Sequence, residues 1–179
     1  TSLDHEDDDP GTTWNERARK REPGKMSPRM AWRAITSVLP KDAIISSDIG
    51  NNCAIGNAYP TFEEGRKYLA PGLFGPCGYG FPAICGAKIA QPDVPVVGFA
   101  GDGAFGISMN EMVSVGRDEW PPITMIIFRN YQWGAEKRNT TLWFDDNFVG
   151  TELDTDVTYA GIAQQCGVKG VQVDGMDTL

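Results

Sequence analysis

The chain has 179 residues, 16 Lys+Arg against 24 Asp+Glu for a formal net charge of −8, and a hydrophobic fraction of 41%. This is a globular composition, and its acidity argues against a general nucleic-acid binder, which needs a basic face to displace counterions. The single histidine, His5, lies in the polar run of residues 4–9, so no Ser-His-Asp triad, His-paired thiol or multi-His zinc site can be assembled from this chain.

Residues 1–26 are polar. An acidic run is followed by the basic cluster Arg17, Arg19, Lys20 and Arg21, with Pro10, Gly11, Pro23 and Gly24 as breakers, which reads as a solvated linker. Regular patterning begins at Ser27, an N-cap with Pro28 at the first helical position. Met30, Ile35, Val38 and Leu39 supply the apolar stripe of the helix, and Pro40 ends it. Residues 43–47 predict a buried strand closing on the loop 48–52. A glycine-rich stretch (Gly72, Gly75, Gly78, Gly80) leads to a helix over 82–90, and residues 94–100 predict a second strand running into Gly101-Asp102-Gly103. A helix over 105–116 follows, in which Met109, Met112 and Val115 read as packing residues. The third strand, 123–128, ends at Arg129-Asn130, and a helix over 158–166 precedes a fourth strand over 168–173.

Nearly continuous apolar strands alternating with helices imply parallel strands covered on both sides. The expected fold is α/β, a doubly wound parallel sheet with helices on both faces, occupying residues 27–179. The chain begins at Thr1 and stops soon after the last strand-like run, so it is expected to be part of a longer protein and incomplete at its C-terminal side. Cys53, Cys77, Cys85 and Cys166 form no C-x-x-C pair, and there is neither a secretory signal nor an apolar stretch fit to span a membrane. Reduced thiols, a cytoplasmic location and no membrane partner are the expectation.

Ligands of such sheets bind at the carboxyl ends of the strands, which directs attention to the loops 48–52, 101–106 and 130–134. Residues 101–106 formally match the dinucleotide pattern G-x-G-x-x-G. Asp102, however, would set a carboxylate against a pyrophosphate, and the next strand ends in Asn130 where a ribose-binding acid is wanted. A divalent cation between Asp102 and a diphosphate turns the repulsion into a bridge. Magnesium prefers oxygen ligands, a few from protein and the rest from phosphate and water, and Asn130 offers a neutral amide oxygen across a helix-and-strand crossover.

Gly-Asp-Gly, a helix, a strand and then Asn resembles the thiamin diphosphate motif of the acetolactate synthase and pyruvate oxidase superfamily, over residues 27–179. The resemblance implies that Mg2+ is held by Asp102, Asn130 and the backbone carbonyl of Gln132. It implies that thiamin diphosphate lies against Asp48, Gly50, Asn51 and Asn52, with the two asparagines touching the diphosphate, and against Gly101, Gly103, Ala104 and Phe105. The run 72–83 is similar to the family's aminopyrimidine loop, so the Gly75 carbonyl would accept from the 4′-amino group. Cys77 falls where the family places a bulky apolar prop. No segment here resembles the pyrimidine-binding domain that carries the activating Glu, so no catalytic residue is expected within the chain, and the isolated segment is expected to be inactive.

Residues 130–139 and 142–150 resemble an acyltransferase branch of that superfamily. The resemblance implies sulfoacetaldehyde and phosphate as substrates, acetyl phosphate and sulfite as products, and a homodimer or homotetramer. Lys137 and Arg138 are the candidates for the anionic substrates. An acetolactate synthase-like lyase and a non-catalytic nucleotide- or cofactor-binding module are the alternatives.

Overall fold

The computed structural model describes residues 26, 28–60, 62, 67–175 and 177–179; the linker expected over 1–26 and the Ser27 cap fall, Met26 apart, outside them. Four strands, β1 (Ile44–Ser47), β2 (Tyr68–Leu69), β3 (Val96–Gly101) and β4 (Thr124–Phe128), pair in parallel in the order β2-β1-β3-β4. Around them run α1 (Pro28–Val38), α2 (Asn51–Gly56), α3 (Gly80–Ala90), α4 (Asp102–Ser108), α5 (Met112–Val115), α6 (Gly134–Trp143) and α7 (Tyr159–Gln165).

Alternation along the strands sorts the core into two layers. Ile44, Val96 and Ala100 face one side and pack with Phe81 and Ile84 of α3, Phe105 of α4, Met112 of α5 and Ala163 of α7. Ile45, Val97 and Phe99 face the other and pack with Trp32 and Ile35 of α1. Trp32 is wholly buried, its ring 4.0 Å from that of Phe99 and 5.5 Å from that of Phe128, both stacked. Helices therefore cover both faces, as the apolar strands require, and the doubly wound α/β expectation holds. Met109, Met112 and Val115 pack into the first layer, as read from their spacing.

The chain steps from β1 outward to β2, then returns past β1 to β3. Its direction reverses between β1 and β3, and the carboxyl ends of those strands open a crevice at the reversal. Asp48 follows β1 directly, and Asp102 follows β3 directly.

Several element expectations are corrected. The helix placed over 105–116 begins at Asp102, behind an extended Gly101 (φ −78°, ψ 162°), and is interrupted by a 3-10 turn at Met109–Glu111, where Ser108 (φ −118°, ψ 8°) leaves helical geometry. Residues 168–173 form no strand. A strand exists only where an edge accepts its backbone groups, whereas here the Val168 N–H donates to the Ala163 carbonyl and the Gln164 amide donates to the Gly170 carbonyl. The short α2, β2 and α6 were not foreseen.

Truncating Trp32 to Ala should cost about 3–5 kcal/mol, the usual range for a buried aromatic. Trp32→Phe should cost clearly less, because the indole N–H has no partner; thermal unfolding of the two variants checks the order.

Candidate metal and cofactor site

Each of the two central strands ends in a buried aspartate. Asp48 is 0% exposed. Its Oδ1 accepts from the N–H groups of Ile49 (2.8 Å) and Gly78 (3.0 Å), and its Oδ2 accepts from Gly80 (2.7 Å) at the start of α3. The carboxylate is thus a pin joining the end of β1 to the glycine-rich loop. Gly80 is required by close approach, since a Cβ there would stand 3.0 Å from Asp48 Cβ and 3.1 Å from its Oδ2.

Asp102, 2% exposed, opens α4. Its Oδ1 accepts from the Gly103 N–H (3.1 Å), and its Oδ2 accepts from the N–H groups of Asn130 (3.2 Å) and Tyr131 (2.7 Å). Burial raises its pKa, and the backbone donors from Tyr131, Gly103 and Asn130 pull the other way. These bonds tie the end of β3 to the loop after β4. Tyr131 turns that loop with φ 59°, a left-handed conformation uncommon for a side chain of its size.

The turn brings three groups together. One end of the Asn130 amide stands 3.2 Å from Asp102 Oδ1 and 3.0 Å from the Gln132 carbonyl oxygen. With its nitrogen there, the amide donates to both. With its oxygen there, it makes a set of three oxygens with no proton between them, an arrangement that a hard divalent cation satisfies. Among the described residues no three His, Cys, Asp or Glu side chains gather. A cation here would rest on one carboxylate, one amide and one carbonyl, the set that the family resemblance implies.

The other anticipated residues are distributed as follows. Asn52 is buried, its amide nitrogen 3.1 Å from where a Gly101 Cβ would lie, so it fills the crevice between β1 and β3. Asn51 is exposed and reaches Gly134, where a Cβ would meet the amide nitrogens of Asn130 (2.8 Å) and Asn51 (3.1 Å). Gly50 has φ 109°. Gly75 (φ 60°) packs on Ile49. Cys77 is exposed, with its thiol pKa raised by partial burial and by the charges of Asp48 and Glu136. Ala104 and Phe105 are buried, and the Phe105 ring belongs to the core beside Phe81 and Tyr159, so only their backbone can meet a ligand.

Three participants were not legible in the sequence. The Trp133 ring occupies the space over Gly103, where a Cβ would meet it at 2.8 Å. The Tyr159 hydroxyl donates to the Asp102 backbone carbonyl (2.9 Å). The segment 151–153 runs antiparallel to the metal loop: the Trp133 N–H donates to the Thr151 carbonyl (2.7 Å), the Leu153 N–H donates to the Tyr131 carbonyl (2.9 Å), and Gln132 bridges Glu152. Glu152 also binds Lys137 Nζ at 2.5 Å; Arg138 is exposed on α6.

The family described as thiamine pyrophosphate enzyme, C-terminal TPP binding domain, matches residues 48–179. Sulfoacetaldehyde acetyltransferase of Roseovarius nubinhibens is 75% identical over 179 residues, which are 100% of this chain and 30% of that protein. The probable sulfoacetaldehyde acetyltransferase of Rhizobium meliloti is 77% identical over 174 residues, 97% of this chain and 29% of that one. The solved structure of a Rhodococcus jostii RHA1 thiamine diphosphate-dependent 4-hydroxybenzoylformate decarboxylase superposes with a TM-score of 0.79 at 22% identity, covering 88% of this chain and 29% of its own; this likeness shows the fold. The chain thus spans under a third of the length of these relatives.

Asp48→Asn places an NH2 group among N–H donors and leaves at least one without an acceptor, so it should destabilise by about 1–3 kcal/mol. Hydrogen exchange should quicken at Gly78 and Gly80 first. The thiols should also differ: burial pushes Cys85 up to about 11, so iodoacetamide at neutral pH should label the exposed Cys77 well before Cys85, as read by peptide mass.

Proposed function

Because this chain belongs to the thiamine pyrophosphate enzymes, as their C-terminal TPP-binding domain, we propose that it holds the diphosphate end of thiamin diphosphate through a magnesium ion, as part of an acyltransferase converting sulfoacetaldehyde and phosphate into acetyl phosphate and sulfite. The observation that carries the reading is the meeting of Asp102 Oδ1, the Asn130 amide and the Gln132 carbonyl. A buried carboxylate with two neutral oxygens beside it fits a cation that keeps its remaining positions for phosphate oxygens and water.

When bound, thiamin diphosphate supplies the electron sink that carbonyl cleavage and acyl transfer need. The residues of this chain bind and orient. Asp102, Asn130 and the Gln132 carbonyl would hold the magnesium, with Asn51, beside Asn130 at Gly134, and Asn52 in the crevice on the diphosphate side. Gly75 and Cys77 would border the aminopyrimidine on a loop that Asp48 fixes through Gly78 and Gly80. The activating carboxylic acid belongs to a domain outside this chain.

The substrate assignment is supported by the relatives that are 75% and 77% identical. Lys137, which pairs with Glu152, and the adjacent Arg138, exposed on α6, are the candidates for an anionic substrate group. Leu73 and Phe74, 109% and 92% exposed at the tip of the loop before α3, are apolar surface that burial against another domain or subunit would remove; this supports a homodimer or homotetramer. Four free thiols accord with the cytoplasm, and among the described residues no helix is long and apolar enough to cross a membrane.

In the intact protein, Asp102→Ala should weaken magnesium-dependent thiamin diphosphate binding by about 100-fold or more, measured by calorimetry. Sulfite and acetyl phosphate should form from sulfoacetaldehyde and phosphate with both cofactors present. Acetolactate formed from pyruvate instead, or tight nucleotide binding without metal, would overturn the reading.

A further inference from the structure

The three oxygen groups come from two strand ends, Asp102 from β3 and the Asn130–Gln132 loop from β4. A device outside the oxygen set joins those ends. Tyr159, the first residue of α7, sends its hydroxyl to the Asp102 backbone carbonyl at 2.9 Å. Its ring packs edge-on against Phe105, with centroids 5.5 Å apart. The Arg129 guanidinium lies over the Tyr131 ring at 4.3 Å and over the Tyr159 ring at 5.7 Å, and its Nη2 donates to the Thr155 carbonyl at 3.0 Å. Tyr131 is the left-handed residue between Asn130 and Gln132. One guanidinium therefore links the aromatic residue that turns the loop to the one that holds Asp102.

We propose that Arg129 and Tyr159 are positioning residues that fix the spacing between Asp102 and the Asn130–Gln132 oxygens, and so bias the site toward a small divalent cation. The proposal rests on the metal reading given above. Mg2+ demands near-octahedral geometry at short distances, whereas Ca2+ accepts longer and irregular coordination. Loosening the spacing should therefore cost Mg2+ far more than Ca2+. A planar guanidinium stacks on rings while one of its nitrogens donates to the Thr155 carbonyl, whereas a compact ammonium has no plane to span those partners, so Arg129→Lys keeps the charge and weakens the link. Tyr159→Phe keeps the packing on Phe105 and removes only the hydroxyl.

The test uses the intact protein, titrated with Mg2+ and separately with Ca2+ at fixed thiamin diphosphate, following tryptophan fluorescence, with melting temperature as a control. Both variants should weaken Mg2+ by about tenfold, as loss of an outer partner does elsewhere, and Ca2+ by less than about twofold, so that the Mg2+/Ca2+ preference falls. An unchanged preference, whether affinities stay constant or drop equally for both metals, overturns the proposal; a purely structural role predicts the latter. Tyr159→Phe decides the matter if Arg129→Lys does not fold. Wild-type protein that binds thiamin diphosphate with no dependence on either metal overturns the metal reading itself, and this inference with it.

Discussion

A carboxylate taken out of water must be met by something, and Asp102 is where this molecule solves that problem. Buried at the end of β3, it is met by backbone N–H groups from its own helix and from the loop after β4. Unmet, such a group would shed its charge or carry a desolvation cost of several kcal/mol. Those donors draw the β4 loop across the strand end, and the loop carries Asn130 and Gln132 with it. The positive φ of Tyr131, the antiparallel segment 151–153 and the Tyr159 hydroxyl are all conditions for that one approach.

Asp48 solves the same problem in the same way, with a different loop. Its carboxylate accepts from three backbone N–H groups, two of them some thirty residues away in the glycine-rich loop and at the start of α3. The neighbouring aspartates thus divide the work. Asp48 organises the loop before α3, whereas Asp102, with the same number of backbone donors, also has the Asn130 amide beside its Oδ1, and that amide in turn lies beside the Gln132 carbonyl. Their placement on either side of the reversal between β1 and β3 lets two local solutions build one crevice.

Much of this was legible because parallel strands covered on both faces need continuous apolar runs, and 43–47, 94–100 and 123–128 have them. The pairing of Asp102 with Asn130 was legible because a crossover of one helix and one strand brings neighbouring strand ends together. The helices α2 and α6 were not, because NNCAIG and GAEKRNTTLW lack a strong apolar stripe and owe their form to the loops they continue. Residues 168–173 look like a strand by composition, but strand formation depends on an available edge, which composition does not report. Tyr159 acts on a main-chain carbonyl 57 positions away, and Trp133 acts by filling the volume over Gly103; neither leaves a local pattern to read.

The loop tip at Leu73 and Phe74 has a colloidal consequence. Two large apolar side chains held in water by a pinned loop make a sticky spot, and what keeps copies of this 179-residue chain apart is mutual repulsion from a net charge of −8. That repulsion shrinks to a range of about 8 Å at physiological ionic strength. The domain on its own is therefore best behaved in dilute buffer, and added salt, which leaves the buried carboxylates untouched, draws it toward self-association.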